Sequence, residues 1–141
     1  MDDLRLVFDP SEESAAMERV KESLNAFNFA ATGVSAYYPV NYYLRSSRDE
    51  LMGGLTGMIW GGWLHVSMLW IDEAVRGMGY ATRLMDEAEA YARERKCHSA
   101  TLDTHSFQAR PFYEKRGYEV IGTLDDYPEG HKKFFLKKKL T

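Results

Sequence analysis

One stretch limits what this chain can become. An apolar run from Leu64 to Ile71 leads into the turn Arg76-Gly77-Met78-Gly79-Tyr80-Ala81, and a helical repeat follows to Arg93. The run is too short to span a membrane and suits a buried strand. Beyond the turn, Ala81, Leu84, Met85, Ala88 and Ala92 recur at the spacing of a helix with one buried face. Glycines and a basic residue therefore stand where a strand passes into a helix N-terminus. Backbone N–H groups are free there, the helix dipole favours anions, and glycine lets the backbone approach a ligand closely. The arrangement points to a phosphate site.

The details of the turn narrow the ligand. A mononucleotide loop would need Gly-x-x-x-x-Gly-Lys-Ser/Thr, which this sequence lacks. A dinucleotide fingerprint would need a third glycine two residues after Tyr80, and Thr82 stands there. It would also need a second strand–helix–strand unit, which 141 residues barely hold. With 45% hydrophobic and 13% aromatic residues the chain can bury a core, and a single domain over residues 1–141 is expected. A net charge of −3 gives no reason to expect nucleic acid. The single cysteine, Cys97, leaves no internal disulfide and no cysteine-based zinc site. The N-terminal sequence lacks a basic segment followed by an apolar run, so a cytoplasmic protein without membrane attachment is expected.

Taken in order, Leu4 to Phe8 reads as a first strand. Asp9, Pro10 and Glu12 read as the capped start of a helix that carries Ala16, Val20, Leu24 and Phe27 on one face and ends near Asn28. Tyr37 to Arg45 reads as a strand that Pro39 confines to an edge or bulge. Leu51 to Trp60 and Trp63 to Ile71 flank Gly61-Gly62, a strong hairpin signal. His98 to Thr104 reads as the next strand, reached by a right-handed parallel crossover. Gln108 to Lys115 reads as a short helix stopped by Gly117, and Tyr118–Leu124 with Lys132–Leu140 as a closing hairpin.

Two motifs now carry a family resemblance. Arg76-x-x-Gly79-x-Ala81 resembles the Gln/Arg-x-x-Gly-x-Gly/Ala signature with which GCN5-related N-acetyltransferases (GNAT) hold the pyrophosphate of acetyl-CoA. About thirty residues further on, Ala109-Arg110-Pro111-Phe112-Tyr113-Glu114-Lys115-Arg116-Gly117-Tyr118 is similar to that family's Ala-x-x-(Phe/Leu)-Tyr-Glu-Lys-x-Gly-(Phe/Tyr) segment. The resemblance implies a mixed α/β fold, β-α-β-β-β-α-β-α-β-β, with a splay between two central parallel strands. It also implies acetyl-CoA as cosubstrate, no metal, and direct transfer of acetyl to a primary amine of a small molecule or peptide. Ser106 departs from the pattern, because family members often carry Asn seven residues before the Tyr. Ser106 or Gln108 would then supply the missing hydrogen bond.

The same resemblance assigns roles. Leu69, Trp70 and Ile71 would offer main-chain groups to the pantetheine arm, and one N–H near Leu69 would hold the developing oxyanion. Gly77, Met78, Gly79, Tyr80, Ala81 and Thr82 would hold the pyrophosphate through backbone N–H groups, with Arg76 adding charge. Tyr113 would protonate the departing thiolate, since a phenol stays protonated at neutral pH yet lies close enough to a thiol to act as an acid. Asp103, His105 and His65 are candidate bases for the incoming ammonium, with ordered water as the alternative. Tyr37, Tyr38, Tyr42, Trp60 and Trp70 are candidate walls of the acceptor site, and aromatic faces suit a cationic amine. Asp125, Asp126 and Glu129 would add attraction if their loop folds over the cleft. Lys137-Lys138-Lys139 reads as a solvated edge. Dimerisation through an exposed strand is common among proteins of this type and is an expectation here. Two other classes fit parts of the pattern: a non-catalytic acyl-CoA-binding module of the same fold, and a nucleotide-binding Rossmann-type protein.

Overall fold

The computed structural model of the protein describes residues 3–141. Its contacts group the chain into two units, Met1–Ser35 and Ala36–Thr141. In the first unit the expected strand does not form: residues 4–8 have no regular structure, and Leu4, Leu6, Val7 and Phe8 are exposed. A strand is stable only when paired, and among the described residues of this unit no strand forms that could pair with it. Helix α1 spans Ala15–Thr32, starting later and ending later than its sequence cues suggest. Ser14 is the actual cap, its hydroxyl accepting from Met17 N, while the Asp9 carboxylate is used on Ser11 N. Gly33 closes the helix in the left-handed conformation, and no residue of α1 is buried.

The second unit holds a six-stranded sheet in the order β1-β2-β3-β4-β6-β5. Its strands are β1 (Tyr37–Arg45), β2 (Leu51–Trp60), β3 (Trp63–Ile71), β4 (Ser99–His105), β5 (Glu119–Asp125) and β6 (Lys132–Lys139). Pro39 lies in the edge strand β1, where a residue without an N–H is tolerated. Helix α2 (Tyr80–Glu94) crosses between the parallel strands β3 and β4, and α3 (Arg110–Lys115) follows β4. A 3-10 turn, Glu73–Val75, joins β3 to the glycine segment. Leu55, Leu64, Met85, Ala88, Ala100 and Leu136 are fully buried where α2 covers one sheet face. Each leucine or methionine so placed contributes about 1.5–3 kcal/mol relative to exposure.

Two irregularities interrupt the pairing of β3 with its neighbours. Thr56 pairs with Met68 but Gly57 pairs with Val66, so Ser67 is an extra residue that bends β3. Gly57 permits that bulge, because a Cβ there would lie 2.3 Å from the His65 carbonyl oxygen. The second irregularity is the parallel pairing itself. It runs from Trp63↔Ser99 to Val66↔Leu102 and then stops, although both strands continue. Past that point β3 is paired only to β2, and β4 only to β6.

Lys137-Lys138-Lys139 does not guard an edge. β6 lies between β4 and β5, with Lys137 paired to Glu119 and Lys138 turned inward to Glu89. A closing hairpin ordinarily lies at the rim of a sheet, and here its second strand inserts against β4 instead.

Candidate active site

The parted ends of β3 and β4 separate two cavities, one of about 630 Å³ and one of about 460 Å³. Leu69, Trp70, Gln108, Ala109 and Tyr113 wall both, so the cavities meet at the gap between the strands.

The larger cavity takes in the glycine turn and the start of α2. Gly77 and Gly79 have φ of +76° and +83°, a region that costs other residues about 1–3 kcal/mol. A Cβ at either position would meet nothing within 4 Å, so open space faces these glycines. Gly79 also caps α2, which has no side-chain cap, leaving the first-turn N–H groups available. Arg76, Gly77, Gly79, Tyr80, Ala81 and Thr82 line this cavity, as do Leu69, Trp70 and Ile71. Met78 does not: it is exposed and turned out of the lining. Arg76 donates from Nε to the Ile71 carbonyl, 2.9 Å away, and so ties the turn back to the end of β3. A diphosphate with an extended arm fits these features: an uncapped helix start, an unfilled glycine cradle and a strand with one free edge.

Ser106 takes no part in either cavity. Its hydroxyl accepts from Lys132 N and its own N–H donates to Lys132 O, so it clips the end of β4 to β6. Of these two residues, it is Gln108 that reaches both cavities.

Tyr113 stands at the junction. Its ring is only 7% exposed and packs edge-on against Phe112 and Tyr118, at 5.2 and 6.0 Å between centroids. Burial, reinforced by the Asp103 charge, pushes its phenol up to about 12. Its hydroxyl makes no hydrogen bond among the described residues, although its ring is held on two sides. The support behind it is ionic. Glu89, 2% exposed on α2, accepts from Tyr118 Oη at 2.9 Å and from Lys138 Nζ at 2.6 Å, and Arg116 lies 3.2 Å away. Burial and the Glu89 carboxylate drive the Tyr118 phenol strongly upward. Sequence alone does not single out Glu89 from other helix residues. Its one signal is a carboxylate between Ala88 and Ala92 on the buried face of α2.

The smaller cavity is lined by residues of β3, β4 and the segment after β4. Val66, Ser67, Met68, Leu102, Asp103, Thr104 and His105 line this cavity and not the larger one. Asp103 lies 3.7 Å from Lys133. His105 stacks on Phe107 at 5.2 Å and leans on Tyr127 at 5.6 Å. Met68 and Trp70 wall the opposite side and are 66% and 48% exposed.

Several expected acceptor-site residues lie elsewhere. His65 is inside the sheet, registered between Met58 and Thr101, and lines neither cavity. Of the five aromatics, only Trp70 reaches a cavity; Tyr38 and Tyr42 pack against the core instead. The acidic loop is used locally, Asp125 with Lys132 and Asp126 with Gly130 N, and none of Asp125, Asp126 or Glu129 lines either cavity.

Fold and site together define an α/β protein able to hold an extended anionic ligand at the gap between two strands. Comparison with known proteins agrees. Residues 3–118 match the family model described as Acetyltransferase (GNAT) family, and the chain belongs to that family. It is 42% identical over 99 residues to a blasticidin-S acetyltransferase of Streptomyces morookaense, covering 70% of this chain and 73% of that protein. It is 33% identical to an acetyltransferase of Agrobacterium fabrum (strain C58), covering 96% and 99% of the two chains. The crystal structure of an acetyltransferase from Bacillus cereus superposes with a TM-score of 0.82 at 30% identity, over 96% of this chain and 97% of that one. The protein is an acetyl-CoA-dependent N-acetyltransferase.

Proposed function

We propose that this enzyme acetylates the primary amine of a small molecule, with the donor in the larger cavity and the acceptor in the smaller one. The observation that carries the reading is the parting of β3 from β4 beyond Val66 and Leu102, with a cavity on either side and Tyr113 in the wall of both. Acetyl-CoA supplies an activated acyl group and a sulfur leaving group. Gly77, Gly79 and the first turn of α2 would hold its diphosphate, and the unpaired side of Leu69–Ile71 would align its arm. Tyr113 would deliver a proton to the departing sulfur; a phenol held near 12 is fully protonated at working pH and available for that step.

Dimensions favour a small acceptor over a folded protein surface. A cavity of about 460 Å³ falls within the range of small-molecule sites, and exposed Met68 and Trp70 give it an apolar flank. The relative named as a blasticidin-S acetyltransferase makes blasticidin S the first acceptor to try. Release of free thiol from acetyl-CoA would be followed with blasticidin S, spermidine, free amino acids and a peptide with an open N-terminus. Turnover with a small amine and none with the peptide is the expected result. Turnover with the peptide alone would overturn the acceptor assignment, and binding of acetyl-CoA without turnover of any amine would favour a binding module.

A further inference from the structure

The smaller cavity contains three titratable side chains, Asp103, His105 and Tyr113, and Tyr113 is shared with the donor side. Asp103 faces Lys133 at 3.7 Å, so its charge already has a partner. His105 is held differently. The backbone N–H of His105 donates to Gln108 Oε1 at 2.7 Å. A backbone N–H can only donate, so that atom of the Gln108 amide must be the oxygen and the orientation of the amide is settled. The same oxygen lies 3.0 Å from His105 Nδ1 and 3.3 Å from Thr104 Oγ1. An amide oxygen can only accept, so Nδ1 carries the ring proton. In the neutral ring Nε2 is then a bare lone pair, and it has no hydrogen-bond partner among the described residues.

We propose that His105 is the general base of this N-acetyltransferase and that Gln108 is its positioning residue, imposing the Nδ1–H tautomer that leaves Nε2 basic. The assignment rests on the placement of the acceptor in the smaller cavity. The step is a proton transfer. One N–H bond of the substrate ammonium breaks, a bond from Nε2 to that proton forms, and the electron pair left on nitrogen becomes the nucleophile. Stacking on Phe107 and the contact with Tyr127 hold the ring plane while the charge changes. Asp103 already has a charge partner in Lys133, and His65 lies within the sheet and lines neither cavity.

Two measurements test this, and the first needs no acceptor. Nitrogen-15 NMR of the imidazole rings in the free enzyme should show His105 as the Nδ1–H tautomer. Gln108→Met should shift that ring toward a mixture of tautomers, and Gln108→Glu, which keeps an acceptor, should restore the single form. A wild-type ring protonated at Nε2 overturns the proposal. The second measurement compares benzylamine, an ammonium at neutral pH, with O-benzylhydroxylamine, which is already neutral there. His105→Gln should lower kcat for benzylamine by about 10²–10⁴-fold, the usual worth of a general base, and change the hydroxylamine far less. Equal losses on both would make His105 a structural group and overturn the proposal. If the wild-type enzyme releases thiol with no amine at all, the transferase reading fails, and the NMR result still decides how the ring is held.

Discussion

The two cavities are made of different material. The donor side includes glycine backbone, the first turn of a helix and the free side of a strand. The acceptor side is lined by residues drawn from β3, β4 and the segment after β4. Main-chain groups recognise what every acetyl donor shares, a diphosphate and an extended arm. Side chains recognise what differs from one acceptor to the next. Substitutions should therefore behave differently on the two sides: donor-side changes act through backbone geometry, and acceptor-side changes through chemistry.

The largest effect should come from Gly79→Val. Its φ of +83° strains any β-branched residue, and the added side chain projects into open space that the diphosphate needs. Titration calorimetry should find no measurable acetyl-CoA affinity, whereas thermal stability should fall by only about 1–3 kcal/mol. Retained binding would mean that the donor is held by something other than that turn. Gly57→Ala tests the bulge instead. A Cβ 2.3 Å from a carbonyl oxygen forces the strands to shift, and overpacking of this kind costs about 1–3 kcal/mol or more. Its melting temperature should drop, and activity should drop with it.

Tyr113→Phe sits on the boundary. Acetyl-CoA affinity should survive, since the ring and its packing remain, while kcat falls by about 10²–10⁴-fold. Unchanged turnover would remove the acid from the scheme. The same residue predicts a pH effect. Its phenol is raised to about 12 in the folded protein, above an ordinary tyrosine near 10 in the unfolded chain. Between those values the unfolded chain has lost the proton and the folded one has kept it. Stability from this group is therefore complete below about pH 10 and drains away toward pH 12. Spectrophotometric titration of wild type against Tyr113→Phe should reveal one tyrosine ionising in that upper window.

The smallest effect should be Met68→Ala. This side chain lines the acceptor cavity and not the donor cavity, and it is largely exposed. A rise of roughly three- to tenfold in the amine KM, within the worth of a methylene or two, should leave acetyl-CoA affinity unchanged. Equal changes in both would mean that the cavities are not separable.

The outline of the sheet unit is legible in the sequence because its signals are local. β1, β2 and β3 begin and end where alternation, Pro39 and Gly61-Gly62 place them, and α2 follows from a repeat of small and apolar residues. The glycine turn reads as an anion cradle from residue types alone. The strand expected at residues 4–8 fails for the complementary reason: alternation measures suitability for a strand, and pairing depends on a partner that sequence does not supply.

Residue order by itself determined local conformation: which segments extend, which coil, and where a backbone of positive φ sits. Tertiary structure alone decided proximity between distant residues. Ser106 and Gln108 are two positions apart, yet one clips β6 and the other reaches both cavities. Glu89 finds Tyr118, Arg116 and Lys138 only once α2, α3 and β6 are packed together. Hydrogen bonds and ion pairs act over a few ångströms, so a side chain's role is settled by which neighbours folding brings within that range.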